Sequence, residues 1–130
     1  MKILTEISVG ELLDKLTILE IKLEMVSDEN KKKELKKEFD ILKKIQISSV
    51  KLEGEIDDLF KSLKEVNMKM WDIEDQVRIC EKNKDFSDKF IQLARGVYFN
   101  NDKRSRIKFE INKKLKSNIT EIKHYVDYEN

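Results

Sequence analysis

The sequence predicts an all-α fold, an antiparallel helical bundle of coiled-coil-like character with three to five helices. The 130 residues include no proline and only three glycines, so few residues interrupt helices. Apolar residues recur in alternating steps of three and four, which places them on one helical face. We therefore expect residues 1–130 to form a single helical domain, with flexible or extended termini at residues 1–7 and 118–130.

The first predicted helix begins at a capping-box pattern. Ser8 can accept a hydrogen bond from the Glu11 amide, while the Glu11 side chain reaches back to the start of the helix. The residues that follow form a main apolar stripe of Val9, Leu12, Leu16, Leu19, Leu23 and Val26, and a second stripe of Ile18, Ile21 and Met25. Two stripes predict that neighbouring helices or a second subunit cover this helix on two sides.

A second, highly charged helix is predicted after Ser27 and Asp28, from about residue 29 to residue 45. Its apolar residues, which we expect to face inward, are Leu35, Phe39, Leu42 and Ile45. The segment from residue 46 to residue 55 contains two serines and a glycine. It is predicted either as a short loop or as a weak point in a longer helix.

The most regular segment predicts a long helical hairpin over residues 52–115. An alternation of three and four continues without a break through Ile56, Leu59, Leu63, Val66, Met70, Ile73, Val77 and Cys80. A turn is predicted at residues 82–86, followed by the second helix of the hairpin. Residues 119–128 could either continue this helix or form an extended arm that pairs with residues 3–7.

The hairpin also contains the most unusual polar residues of the chain. All four arginines lie within one 29-residue window, whereas the other 23 basic residues are lysines. A turn at residues 82–86 would place Arg95 near Glu74 and Asp75. The candidate ligand-binding residues are Glu74, Asp75, Arg78, Arg95, Tyr98, Asn101, Asp102 and Arg104. This polar band is either a set of ion pairs that fixes helix register or an anion-recognising surface.

Other chemistries find little support in the sequence. Cys80, the single cysteine, excludes an internal disulfide and falls on an apolar stripe, while His124 has no nucleophile nearby in sequence. We find no catalytic motif and expect no metal and no cofactor, which favours a non-enzymatic protein without deciding the question. The net charge of +1 and the absence of a long apolar segment predict a cytoplasmic protein that neither binds nucleic acid nor inserts into a membrane.

Several motifs resemble a family of short all-helical bacterial proteins of unknown function. The first is SVGELLDKLTILEIK at residues 8–22, and further motifs are Val66-Asn67 with Trp71, and Ile73-Glu74-Asp75. The family pattern continues with Leu93-Ala94-Arg95, Val97-Tyr98, Asn101-Asp102 with Arg104, and Ile111-Asn112. The resemblance brings no activity, cofactor or catalytic residue. Genes of some members lie near polysaccharide genes, which implies a link to surface-polysaccharide or sugar-nucleotide metabolism.

These observations leave two functional hypotheses. The first is a non-enzymatic helical interaction or assembly module, expected as a homodimer and open to another protein partner, because the apolar stripes exceed what one helix pair covers. The alternative is a binding protein or small enzyme for an anionic metabolite, which would use the polar band of the hairpin.

Overall fold

The structure, a computed structural model, describes residues 1–129 and confirms the all-α prediction. Its helices are α1 (Val9–Met25), α2 (Glu29–Ser49), α3 (Gly54–Lys82) and α4 (Asp88–Lys114). Helices α3 and α4 form the predicted hairpin. Residue 130, the last of the predicted C-terminal extension, lies outside the described residues. None of the helices in the described part of the chain is long and apolar enough to cross a membrane.

Helix α1 is the centre of the bundle, and its backbone approaches all three other helices. Ser8 caps its first turn, since the Ser8 hydroxyl accepts from the Glu11 amide at 3.0 Å. The reciprocal half of the predicted capping box is replaced, because the Glu11 carboxylate pairs with Lys108 instead. The main stripe of α1 packs into a core cluster whose buried members are Leu12, Leu13, Leu16, Phe60, Leu63 and Ile111.

Helix α2 lies at the periphery, and its backbone approaches only that of α1. Asp28 caps α2 by accepting from the Lys31 amide at 3.0 Å. Phe39 and Leu42 pack against the core cluster as expected. The prediction for Ile45 is wrong, because its side chain is 46% exposed. Helix α2 ends four residues later than expected, and Ile45 lies on a face of it that the described chain leaves uncovered, whereas the next residue, Gln46, is buried.

The break between α2 and α3 resolves the boundary that the sequence left open. Residues 50–53 form a short connection, and Gly54 begins α3 with a φ of 57°, a backbone conformation that glycine adopts without steric cost. The side-chain amide of Gln46 donates to the Val50 carbonyl at 2.8 Å. This bond satisfies a carbonyl just beyond the end of α2.

The α3–α4 hairpin turns at residues 83–87. Gly96 lies directly against Ile73, since a Cβ built on Gly96 would be 3.1 Å from the Ile73 Cδ1 atom. Cys80 is buried and free, in keeping with its place on the apolar stripe. The hairpin therefore juxtaposes residues at the levels that a turn at 82–86 predicts.

The N-terminal segment and the beginning of the C-terminal segment meet beside the start of α1, where the Asn118 side-chain amide donates to the Glu6 carboxylate at 2.6 Å. A Cβ on Gly10 would be 2.7 Å from the Lys108 carbonyl oxygen, so α1 crosses α4 with backbone in close approach. Residues 119–128 form no helix, and the described residues contain no strand that would pair them with residues 3–7. The segment instead runs back along α4, where the Tyr128 ring contacts the rings of Tyr98 and Phe99.

Candidate functional site

A cavity of about 490 Å³ opens between α1, α3 and α4. One face of α3 forms the longest wall of the cavity. Residues 67, 71, 74, 75 and 78 lie on this face because they are three or four positions apart along the helix. We call this space the interhelical cavity. It is lined by Ile18 and Ile21 from α1, by Asn67, Met70, Trp71, Glu74, Asp75 and Arg78 from α3, and by Arg104 from α4.

A buried polar network closes the deep end of the interhelical cavity. The amide nitrogen of Asn67, a residue only 5% exposed, donates to Asp14 Oδ1 and Thr17 Oγ1, each at 2.8 Å. These two bonds leave the Asn67 Oδ1 atom facing α4, where it accepts a long 3.5 Å bond from Arg104 Nη1. Asp14 and Thr17 therefore orient Asn67, and Asn67 helps to orient the guanidinium of Arg104.

The charge of Asp14 is balanced from α4. The Lys108 ammonium lies 3.7 Å from Asp14 Oδ2 and also pairs with the Glu11 carboxylate. A buried carboxylate is costly unless it is both paired and hydrogen-bonded, and Asp14 is both. Lys108 thus neutralises the carboxylate at the deep end, and Arg104 has no ion-pair partner among residues 1–129.

Arg104 lines the interhelical cavity and contains an unusual donor. Its Nε atom is buried and has no hydrogen-bond partner within the described part of the chain. Buried polar groups of proteins are almost always hydrogen-bonded, because an unmade bond costs roughly 1–3 kcal/mol. This free donor is the most unusual feature of the cavity.

The mouth of the interhelical cavity carries three charged residues of α3. Arg78 bends back along its own helix, with Nη1 2.9 Å from Glu74 Oε2 and 3.0 Å from the Glu74 carbonyl oxygen. Asp75 is exposed and forms no ion pair with any of residues 1–129. Glu74 and Arg78 compensate each other, which leaves Asp75 as the uncompensated charge at the mouth.

The candidate residues predicted from the sequence divide into two groups. Glu74, Asp75, Arg78 and Arg104 line the interhelical cavity, and the others lie outside it. The predicted approach of Arg95 to Glu74 and Asp75 is wrong. Arg95 Nη1 donates to Gln92 at 3.1 Å, and its guanidinium lies 5.5 Å from the centre of the Phe99 ring, on another face of the hairpin.

Tyr98 and Asp102 face the C-terminal segment instead of the cavity. The Tyr128 hydroxyl donates to Asp102, which raises the pKa of Tyr128 to about 12. Tyr98 contacts the same tyrosine ring. Asn101 is half-buried, and its backbone carbonyl accepts from the Ser105 hydroxyl. Tyr98 and Asp102 hold the terminal segment of the chain against α4, whereas the hydrogen bond of Asn101 lies within α4 itself.

Sequence reasoning missed Asp14, Thr17 and Lys108 as neighbours of the candidate site. A signal was present, because Asp14 lies four residues before Ile18 and so begins the second apolar stripe of α1. A carboxylate on an otherwise apolar stripe indicates a buried polar contact. The described residues contain no group of three or more histidine, cysteine or acidic side chains that could hold a metal ion.

Comparison with known proteins places the chain in a family without a known activity. The family of unknown function (DUF6165) matches residues 1–128. The chain belongs to this family. No curated protein and no solved structure matches the sequence. Membership therefore agrees with the resemblance seen in the sequence motifs and adds no activity, ligand or partner.

Proposed function

We propose that this protein binds a small anionic ligand in the interhelical cavity. The observation that carries the proposal is the Arg104 guanidinium, which lines the cavity with a free, buried Nε and no ion-pair partner among residues 1–129. A guanidinium presents parallel N–H donors that match an oxyanion. A bound carboxylate or phosphate group would pair with this guanidinium and neutralise its charge.

The supporting residues around Arg104 suit recognition more than catalysis. Asn67 is fixed by Asp14 and Thr17, so the Arg104 guanidinium is held in place before a ligand arrives. Preorganised donors of this kind reduce the ordering cost of binding. Among the described residues, the cavity lining includes no cysteine, histidine, serine or lysine, and its two carboxylates, Glu74 and Asp75, lie at the mouth and not beside Arg104. The proposal is therefore a binding protein.

The size and composition of the cavity support a small ligand. Its volume of about 490 Å³ falls within the range of sites for metabolites and cofactors. Ile18, Ile21 and Trp71 provide apolar wall, and a few polar groups converge at the two ends. Ligand sites commonly combine these features, with apolar contacts giving affinity and polar contacts giving orientation.

Isothermal titration calorimetry with phosphates, simple carboxylates and sugar nucleotides tests this proposal. Arg104→Lys keeps the charge but removes the planar fork, so we expect about tenfold weaker binding of any anion that the wild type binds. Arg106→Lys is the matched control, because Arg106 is exposed on α4 and does not line the interhelical cavity. Equal affinities of wild type and Arg104→Lys, or no anion bound at all, would contradict the proposal.

A second candidate function is assembly of two copies through α2. Ile41 and Ile45 lie four residues apart on α2, are 54% and 46% exposed, and form a stripe that the described chain does not cover. A second copy could bury this stripe against its own equivalent. The second apolar stripe of α1 supports assembly less than expected, because its central residue, Ile21, is only 1% exposed within one chain.

Light scattering tests the homodimer. If α2 forms the interface, Ile41→Asp should shift a dimer to monomer while circular dichroism stays unchanged. Ile47→Asp is the control, because Ile47 is also exposed but points about 140° away from the middle of the Ile41–Ile45 stripe by helical geometry. A wild-type monomer at high concentration would refute the homodimer.

The cytoplasmic location stays a prediction.

A further inference from the structure

Exposure increases steadily along the α3 wall of the interhelical cavity. Asn67 at the deep end is buried, Trp71 and Glu74 are half-buried, and Asp75 and Arg78 are exposed. The cavity therefore has a closed end at Arg104 and an open mouth at Asp75. A ligand would enter past Asp75 and reach Arg104 with its leading group.

The charges of the cavity are uncompensated only at these two ends. Glu74 and Arg78 form an ion pair with each other at 2.9 Å. Arg104 and Asp75 have no ion-pair partner among residues 1–129. A cation at the closed end and an anion at the mouth favour a ligand that has a negative group at its leading end and a positive group at its other end.

The distance between the two ends limits the length of that ligand. Arg104 reaches α3 at the level of Asn67, which precedes Asp75 by eight residues. Eight residues of α-helix span about 12 Å at about 1.5 Å per residue. Helical side chains lean toward the N-terminus, so the Asp75 carboxylate lies closer to Arg104 than its backbone does. Between the two charges, Met70 and Trp71 present apolar wall.

We propose that the ligand is an ω-amino carboxylate, with its carboxylate on Arg104, its ammonium on Asp75 and an aliphatic spacer along Trp71. The inference rests on the proposed function and adds the ligand class. A singly charged carboxylate balances the single uncompensated guanidinium. A phosphate dianion would leave excess negative charge in the cavity, because Arg78 is already paired with Glu74.

Calorimetric titration with ω-aminobutanoate, ω-aminohexanoate and ω-aminooctanoate tests the proposal, with hexanoate and hexylamine as matched ligands that lack one charge. We expect ω-aminohexanoate to bind about three- to fivefold more tightly than hexanoate, a modest gain because Asp75 is exposed. The four-carbon ligand should show no such gain because its ammonium cannot reach Asp75. Equal binding of hexanoate and every ω-amino acid would overturn the ligand class.

Variants at the mouth separate the two proposals. Asp75→Asn should reduce ω-aminohexanoate to the affinity of hexanoate and leave hexanoate itself unchanged. Asp72→Asn is the control, because Asp72 lies on α3 close to Asp75 but bonds Gln76 at 2.8 Å and does not line this cavity. If hexanoate binds through Arg104 and Asp75→Asn changes nothing, the ligand class fails and anion binding stands. If neither hexanoate nor an ω-amino acid binds, the ligand class fails, and the titrations with phosphates and sugar nucleotides decide whether anion binding through Arg104 stands.

Discussion

Helices α1 and α2 carry apolar residues at the same helical spacing, yet they are buried to very different degrees. The backbone of α1 approaches three helices, whereas that of α2 approaches only α1. Leu16 of the predicted α1 stripe is 1% exposed, whereas Ile45 of the predicted α2 stripe is 46% exposed. Periodicity therefore predicts which side of a helix faces its neighbours. The number of neighbours, which periodicity does not give, decides how completely that side is covered.

Truncation of one apolar residue in each helix is the strongest test of this comparison. Leu13→Ala should lower the free energy of unfolding by about 3 kcal/mol, because it removes buried methyl groups and leaves a cavity in the core. Ile41→Ala should change it by no more than about 0.5 kcal/mol, as expected for an exposed site. Urea denaturation followed by circular dichroism measures both values. Similar losses in the two variants would mean that α2 is covered in solution, for instance by a second copy.

The crossing of α1 over α4 offers a second test, through the glycine that permits it. A Cβ on Gly10 would meet the Lys108 carbonyl oxygen at 2.7 Å, and the backbone of α4 cannot move away easily. Gly10→Ala should therefore cost about 2 kcal/mol despite the higher helix propensity of alanine.

Gly96→Ala is the matched control for Gly10→Ala. Its new Cβ would be 3.1 Å from the Ile73 Cδ1 atom, which is the movable end of a side chain. The gain in helix propensity should offset the strain, for a net change within about 0.5 kcal/mol of zero. A Gly10→Ala variant as stable as Gly96→Ala would show that the α1–α4 approach is looser than the structure has it.

The sequence predicts the fold well because the fold depends on local periodicity. The bounds of the hairpin follow from the stripe of α3 and from the turn residues at 82–86. The start of α1 follows from Ser8. Gly54 and the two serines indicate a break between α2 and α3. The same residues would also suit a weak point within one longer helix, so composition alone does not distinguish the two.

The candidate site was predicted less well, because it depends on how helices rotate about their axes. A turn of known position fixes the level of Arg95 relative to Glu74, and Gly96 indeed lies against Ile73. It does not fix the rotation of α4 about its axis, which points Arg104 toward Asn67. The same rotation leaves Arg95 on another face of the hairpin, where it contacts Gln92 and Phe99 of its own helix. The contacts of Asp14 with Asn67 and Lys108 join three helices, and no local pattern specifies contacts of that kind.

The smallest expected effect concerns the C-terminal segment, which covers the start of α1. The Glu121 carboxylate accepts hydrogen bonds from the Ser8 hydroxyl and from Asn112 at the end of α4. Burial raises the pKa of Glu121, but the Ser8 bond, together with a backbone bond, the Lys108 charge and the Asn112 bond, outweighs it. The net effect holds the pKa of Glu121 below its ordinary value of 4.5.

This lowered pKa makes the contact between Glu121 and α1 sensitive to acid. Its stabilising contribution is fully present above the ordinary pKa of 4.5 and is lost as the pH falls through the lower folded value. NMR titration of the side-chain carboxyl carbons should place the pKa of Glu121 below 4.5 in the wild type and higher in Ser8→Ala. Ser105→Ala is the control, since Ser105 bonds the Asn101 carbonyl and should leave the Glu121 titration unchanged. A pKa of Glu121 that does not respond to Ser8→Ala would mean that the segment is not held at the start of α1, and that α1 relies on its helix contacts alone.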